Sequence, residues 1–276
     1  MTSFKAGSVT YSLEEKTLVM GILNVTPDSF SDGGKYMNPD VALKHAKEMI
    51  EEGADIIDIG AQSTRPGYTP ISFEEEWERL APVLEKLLPT LEGTKISVSV
   101  DTFYPEVAEK ALALGVHIIN DVSGFTPKMW EVVAKSDCGC IVMHPRREWD
   151  YEDPVQEVHE FFLSKQKEAH QYGIPNERLC FDPGIGFKKT FEENLSLITN
   201  IEQTKISTCA YLMATSRKRV VGEVCGNPPF EKRLGGTIAA DTLAINHGAN
   251  MIRVHDVYDS VQAARMTEAL MKVRRK

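Results

Sequence analysis

The stretch KISVSVDTFYPEVAEKALALGVHIIND, residues 95–121, decides the architecture of the chain. Its first six residues are a short run rich in Val and Ile, the mark of a buried strand. Tyr104-Pro105-Glu106 then opens a helix, because proline is tolerated in the first turn, where its missing N–H has no partner to lose. That helix stops near Gly115, and residues 117–120 (HIIN) begin a second strand. Repeated strand–helix–strand units of this kind indicate a parallel sheet, because parallel neighbours need a long crossover connection, usually a helix.

Outward from this unit the same rhythm recurs. Further strands are expected at 17–24 (TLVMGILN), 54–59 (ADIIDI), 139–143 (GCIVM), 179–182 (LCFD), 209–214 (CAYLMA) and 250–254 (NMIRV). Between them, Asn38-Pro39-Asp40 opens a helix that carries Val41, Leu43, Met49 and Ile50 and stops at Gly53. Ser72 precedes an acidic first turn, Glu74 to Glu76, with Trp77, Leu80, Val83, Leu84 and Leu87 following at helical spacing. Eight strands alternating with helices in a chain of this size predict an α/β fold, a (β/α)8 TIM barrel formed as one domain over residues 1–276. A doubly wound open sheet is the alternative. The polar and apolar alternation of Val9 to Leu13 predicts a short N-terminal β-hairpin covering one barrel end.

Composition is that of an ordinary globular protein: 42% hydrophobic and 26% charged residues in 276. A formal net charge of -9 argues against non-specific nucleic-acid binding, which needs clustered Lys and Arg. The five cysteines form no paired CxxC spacing and read as reduced, mostly buried thiols. The opening MTSFKAGSVTYSLEEK has no basic start followed by an apolar run, and no stretch reaches membrane-spanning length, so a cytoplasmic protein is expected.

Polar residues collect where the expected strands end: Asn24, Asp58, Asp101, Asn120, His144, Asp182, Ser216 to Lys218, Arg253 and His255. Any one of them is ordinarily a cap or turn residue. In a barrel, however, these ends converge on one mouth, where active sites lie. The loop Asn24 to Gly34 is long and carries Phe30 between two serines, as a lid would, and the loop Gln62 to Gly67 sets Arg65 beside hydroxyls. Asp101, Asn120 and Asp182 suit a heterocycle bearing amidine-like N–H donors; two carboxyls could also form an acid and base couple. Ser216-Arg217-Lys218-Arg219 is a dense basic cluster, and alternation sends Arg253 and His255 to one side of the chain. His117, His144 and His159 show no zinc spacing.

Taken in order, GILNVTPDSFSDGG (21–34), DIGAQSTRPG (58–67), SVDTF (99–103), IIND (118–121), FDPGIGF (181–187), TSRKR (215–219) and RVHDV (253–257) resemble the dihydropteroate synthase family. The resemblance implies a barrel that joins 4-aminobenzoate to a pterin carrying a methyl diphosphate, releasing diphosphate and forming 7,8-dihydropteroate, with Mg2+ assisting. It assigns the pterin to Asp101, Asn120, Met143, Asp182, Phe187 and Lys218, and the diphosphate to Asn24, Thr64, Arg253 and His255, Asn24 also holding the metal. It assigns the 4-aminobenzoate site and its closing loops to Asp28, Phe30, Thr64, Arg65, Pro66, Phe187 and Arg219. Asp101, Lys218, Arg253 and His255 form the expected catalytic set. A homodimer packed near the carboxy end is implied too, where Val261, Met266, Leu270 and Met271 are apolar. Two departures from the commoner family pattern stand out: Gly60-Ala61-Gln62 where many members have Gly-Gly-Glu, a change expected to alter loop packing, and Arg219 where many have Ser. Arg219 either binds the substrate carboxylate or points to solvent. A pterin-dependent methyltransferase would need no diphosphate clamp, so TSRKR and RVHDV favour the synthase; a non-catalytic pterin-binding barrel would not need both polar loops.

Overall fold

A computed structural model describes residues 2–26, 38–62, 69–145 and 153–274. The chain begins with an antiparallel hairpin, β1 (Ser3–Ala6) and β2 (Val9–Ser12). Eight parallel strands then close a barrel: β3 (Leu18–Asn24), β4 (Ile56–Gly60), β5 (Ser97–Asp101), β6 (Ile118–Asp121), β7 (Gly139–Met143), β8 (Leu179–Asp182), β9 (Ala210–Met213) and β10 (Met251–Val254). Each pairs with the next in sequence, and β10 returns to β3. The ring excludes the open sheet, and every barrel strand lies within two residues of its expected bounds.

Helices clothe the ring. They are α1 (Pro39–Glu51), α2 (Phe73–Leu87), α3 (Pro105–Ala113), α4 (Pro127–Val133), α5 (Pro154–Gln171), α6 (Phe191–Thr199), α7 (Ile201–Thr204), α8 (Arg219–Val224), α9 (Leu234–Asn246) and α10 (Val257–Arg274). Asn38 caps α1 by accepting the Asp40 N–H at 2.9 Å, and Ser72 caps α2 by accepting that of Glu75 at 3.2 Å. The buried face of α1 differs from the expected one at Val41, which is 41% exposed; Ala42, Ala46 and Met49 face the barrel, with Leu43 and Ile50 packed against the core beside them. Gly21 of β3 makes room for Met49, since a Cβ there would lie 2.7 Å from its Sδ.

Two apolar regions result. Outward strand residues such as Val19, Ile57, Val98, Ile119, Val142 and Phe181 pack against the helices. Inward residues at the strand starts, including Leu18, Ile56, Ile118, Ile141, Cys180 and Met251, meet Phe4, Val9 and Tyr11 of the hairpin. The hairpin therefore plugs the barrel at the end opposite the loops that follow the strands. Tyr11 fastens it, donating to Ser97 Oγ at 2.8 Å beside the Asp55 and Lys95 carbonyls. Gly139 admits it, since a Cβ there would lie 2.6 Å from Phe4 Cζ.

Candidate active site

The strand period of two that fills the lower barrel also builds the site. Two residues beyond Ile56, Ile118, Ile141, Cys180 and Met251 stand Asp58, Asn120, Met143, Asp182 and Arg253, which therefore face the upper interior. Asp101 joins them as the residue paired with Asn120 across β5 and β6. Sequence reasoning carried Asp58 no further than a strand end; the Ile56-x-Asp58 step was the signal for its place inside.

These groups form one charged network. Arg253 donates from Nε to Asp58 Oδ2 at 2.6 Å and from Nη2 to Asp101 Oδ2 at 3.0 Å. Asn120 Nδ2 reaches the same Asp58 oxygen at 3.3 Å. Arg253 thus pairs with the aspartates, while His255, two residues on, pairs with Ser216. Burial opposes its charge, but Asp58 and Asp101 more than offset this and hold the guanidinium cationic. Burial also pushes Asp101 up to about 7, against the pull of Arg253 and with the repulsion of Asp58 and Glu76.

Across the mouth, Asp182 accepts the Gly184 N–H at 2.7 Å, and burial raises its pKa against the opposing pull of Lys218. Lys218 Nζ donates to the Ile185 carbonyl at 2.5 Å and lies 5.0 Å from the centre of the Phe187 ring. Burial lowers Lys218 to about 8, with Asp182 pulling the other way. Met143 is buried at the end of β7, and Phe187 is half-buried in the following strand's loop.

The basic cluster divides. Lys218 turns into the barrel, whereas Arg217 forms a fork on Asp256, at 2.9 and 2.5 Å, and fastens the β9 loop to the start of α10. Arg219 has a side chain 85% exposed and donates to Glu223 at 2.6 Å. Of its two expected placements the structure shows the one in solvent: as the first residue of α8 it pairs one turn along its own helix. His255 exchanges a hydrogen bond with Ser216 Oγ at 2.9 Å, and its ring stands edge-on to Phe230 at 5.3 Å. Asp28, Phe30, Thr64, Arg65 and Pro66 lie outside the described residues.

Gln62, the first departure from the family pattern, donates to Glu76 of α2. Glu76 is fully buried, and burial pushes it up to about 7, so Gln62 offers this carboxyl an N–H where a Glu at that position would set another acid against it. Asn24 stands half-buried at the inward end of β3 with its side chain free of described hydrogen-bond partners. Its amide oxygen is the hard donor that magnesium accepts. Among the described residues no group of three His, Cys, Asp or Glu could hold a metal. One oxygen and no closed cage fit a magnesium ion held mainly by substrate phosphate oxygens and water.

Comparison with known proteins gives a consistent result. The family model for pterin binding enzymes matches residues 20–255. A dihydropteroate synthase of Clostridium beijerinckii is 42% identical over 275 residues, 97% of this chain and 99% of that protein. One of Bacillus subtilis is 45% identical over 262 residues, 94% of this chain and 90% of that protein. A solved structure of Xanthomonas albilineans dihydropteroate synthase with 4-aminobenzoic acid superposes with a TM-score of 0.91 at 39% identity, covering 98% of this chain and 99% of that one.

Proposed function

The chain belongs to the pterin binding enzyme family and, within it, to the dihydropteroate synthases; on that footing we propose how its residues carry the reaction. The protein is a transferase of folate biosynthesis. It condenses (7,8-dihydropterin-6-yl)methyl diphosphate with 4-aminobenzoate, giving 7,8-dihydropteroate and diphosphate.

The observation that carries the residue assignment is the buried floor of two carboxyls and an amide, Asp101, Asp182 and Asn120, beside Lys218. Acceptors and donors from separate strands can read the N–H and carbonyl edge of a pterin, and burial makes each unmatched group costly, which supplies specificity. Lys218 gives a carbonyl its donor, and Met143 and Phe187 form apolar walls. As the C–O bond to diphosphate lengthens, positive charge develops on the pterin methylene and negative charge on the leaving group. Asp101 lies at the first and Arg253, with His255, at the second; a preorganised field of this kind needs no reorganisation at the moment of reaction. Arg253 already spans to Asp101, so the two ends are mechanically linked. The amine of 4-aminobenzoate then bonds to the methylene carbon and gives up one proton, the electron pair of the broken C–O bond leaving with diphosphate. Magnesium, with Asn24 as its protein ligand, would add positive charge to the departing oxygens. Asp28, Phe30, Thr64, Arg65, Pro66 and Phe187 complete the 4-aminobenzoate side in this reading.

We further propose a homodimer packed through α10, where Met266, Leu270 and Val273 are 60%, 59% and 73% exposed. Val261 and Met271 pack on the core instead. Leu270→Lys is expected to yield monomers in sedimentation. Work in the cytoplasm is supported by four free, buried cysteines, Cys138, Cys140, Cys180 and Cys209. No helix among the described residues is long and apolar enough to cross a membrane.

The test is release of diphosphate from the pterin diphosphate, 4-aminobenzoate and magnesium. Folded protein that releases none overturns the reading. Lys218→Ala and Arg253→Ala should stay folded and lose turnover, and sulfonamides should compete with 4-aminobenzoate.

A further inference from the structure

The loop between β8 and α6 has a second lysine that the mechanism above leaves idle. Left-handed backbone recurs at alternate positions along it: Gly184 (φ 70°), Gly186 (φ 83°) and Lys188 (φ 47°). The carbonyls of this short stretch are taken up by two cations. Ile185 O accepts from Lys218, while Gly184 O and Phe187 O accept from Lys189 Nζ at 3.0 and 3.4 Å. Lys189 makes a third bond, at 3.2 Å, to the His144 carbonyl just beyond β7. An ammonium has three N–H donors, and here each has a backbone acceptor.

The contact joins two loops that could otherwise separate. Gly184 lies so near the exit of β7 that a Cβ would sit 2.3 Å from the His144 oxygen. The Phe187 N–H closes back on Gly184 O at 3.1 Å, and the Gly186 N–H is held by Asn194 Oδ1 at 2.6 Å. Burial lowers Lys189 to about 7, with Asp182, Glu157 and Glu193 pulling back. A cation desolvated to that degree persists only where its neighbours satisfy it.

We propose that Lys189 is a positioning residue of the pterin pocket: its ammonium ties the β8 loop to the exit of β7, fixing the Phe187 ring and the Ile185 carbonyl against which Lys218 is set. It acts through these groups and not on substrate. The proposal rests on the pterin reading above.

Lys189→Met removes the donors and keeps the stem, and Lys189→Gln keeps two donors. With a few charge-assisted hydrogen bonds lost, KM for the pterin diphosphate should rise on the order of tenfold in the Met variant while kcat stays within about threefold. The Gln variant should fall between. Hydrogen exchange at the Phe187 amide should quicken about tenfold in the Met variant, with barrel-strand amides unchanged, because only the local opening is made easier. This arm needs no turnover: if the wild-type protein releases no diphosphate the pterin reading fails, and faster exchange at Phe187 still upholds the tie. Wild-type KM and wild-type exchange in the Met variant would overturn the proposal. So would unfolding of both variants, or a uniform rise in exchange across the barrel, either of which makes Lys189 a general support of the fold.

Discussion

Asp101 and Lys218 are the residues whose titration should be visible in turnover. Asp101 accepts a pterin N–H most strongly, and faces the developing positive charge with a negative one, when ionised, above about 7, and Lys218 donates most strongly when charged, below about 8. The pH profile of kcat/KM for the pterin diphosphate, which reports the free enzyme, should therefore be a narrow bell between those values. In Lys218→Arg the part of the alkaline limb that belongs to Lys218 should vanish from whatever activity is left, since a guanidinium stays charged, leaving only the shallower fall that Lys189 gives through KM; an unchanged limb would assign it elsewhere. Arg219→Ala should leave KM for 4-aminobenzoate within about twofold, because an exposed pair of this kind contributes little. A rise of tenfold would bring Arg219 back into the site. The contrast between neighbours shows what could be read in advance. Asp101, Asn120 and Asp182 were legible because strand ends and alternation fix which way they face. Arg217, Lys218 and Arg219 looked alike as a basic run, and only the left-handed turn at Arg217 (φ 56°) and the partners Asp256 and Glu223 send them three ways. Such partners lie up to 39 residues off, beyond any local pattern.

Among the elements, the barrel strands were the most legible, since burial on both faces leaves nearly unbroken apolar runs. The hairpin was less so: Val9 to Leu13 showed its alternation, but β1 did not declare itself, because Ser3–Ala6 holds only Phe4 as a large apolar residue. The way the hairpin seats on the barrel can be tested at Gly139. An added methyl would meet Phe4 Cζ and, at 3.0 Å, the Lys5 carbonyl, so Gly139→Ala should destabilise the chain by roughly 1–3 kcal/mol, as overpacking does. Thermal unfolding measures the loss, and activity well below the transition should be kept, because the plug and the site occupy opposite ends. Helix starts were readable from their caps. Thr190 and Glu193 form a full capping box on α6, and Thr190→Ala should cost about 1 kcal/mol in the same measurement.

For the molecule as a whole, buried acids govern stability against pH. Burial raises Asp121 to about 6 and Glu76, Asp101 and Asp241 to about 7, so the folded protein keeps protons that the unfolded chain has released. The native state then binds more protons between about 4 and 7, and stability, full below about 4, must fall as pH rises through that window. Urea midpoints should decline accordingly from pH 5 to pH 7, and Asp241→Asn, whose carboxyl accepts from Thr215 and takes no part in the reaction above, should flatten the slope. A midpoint that climbs over this range would mean these acids are ionised in the folded state. The hairpin has one more consequence, concerning traffic. With Phe4, Val9 and Tyr11 packed on the filled lower barrel, the described residues leave the upper end as the way to the site. Whatever rests on Asp101 and Asp182 has to arrive before anything that settles above it, and leaves only after the upper tenant has gone or become joined to it. An aromatic carboxylate lodged near the entrance would lock the pterin beneath it, so an inhibitor of the outer chamber should lengthen the residence of a ligand it never displaces.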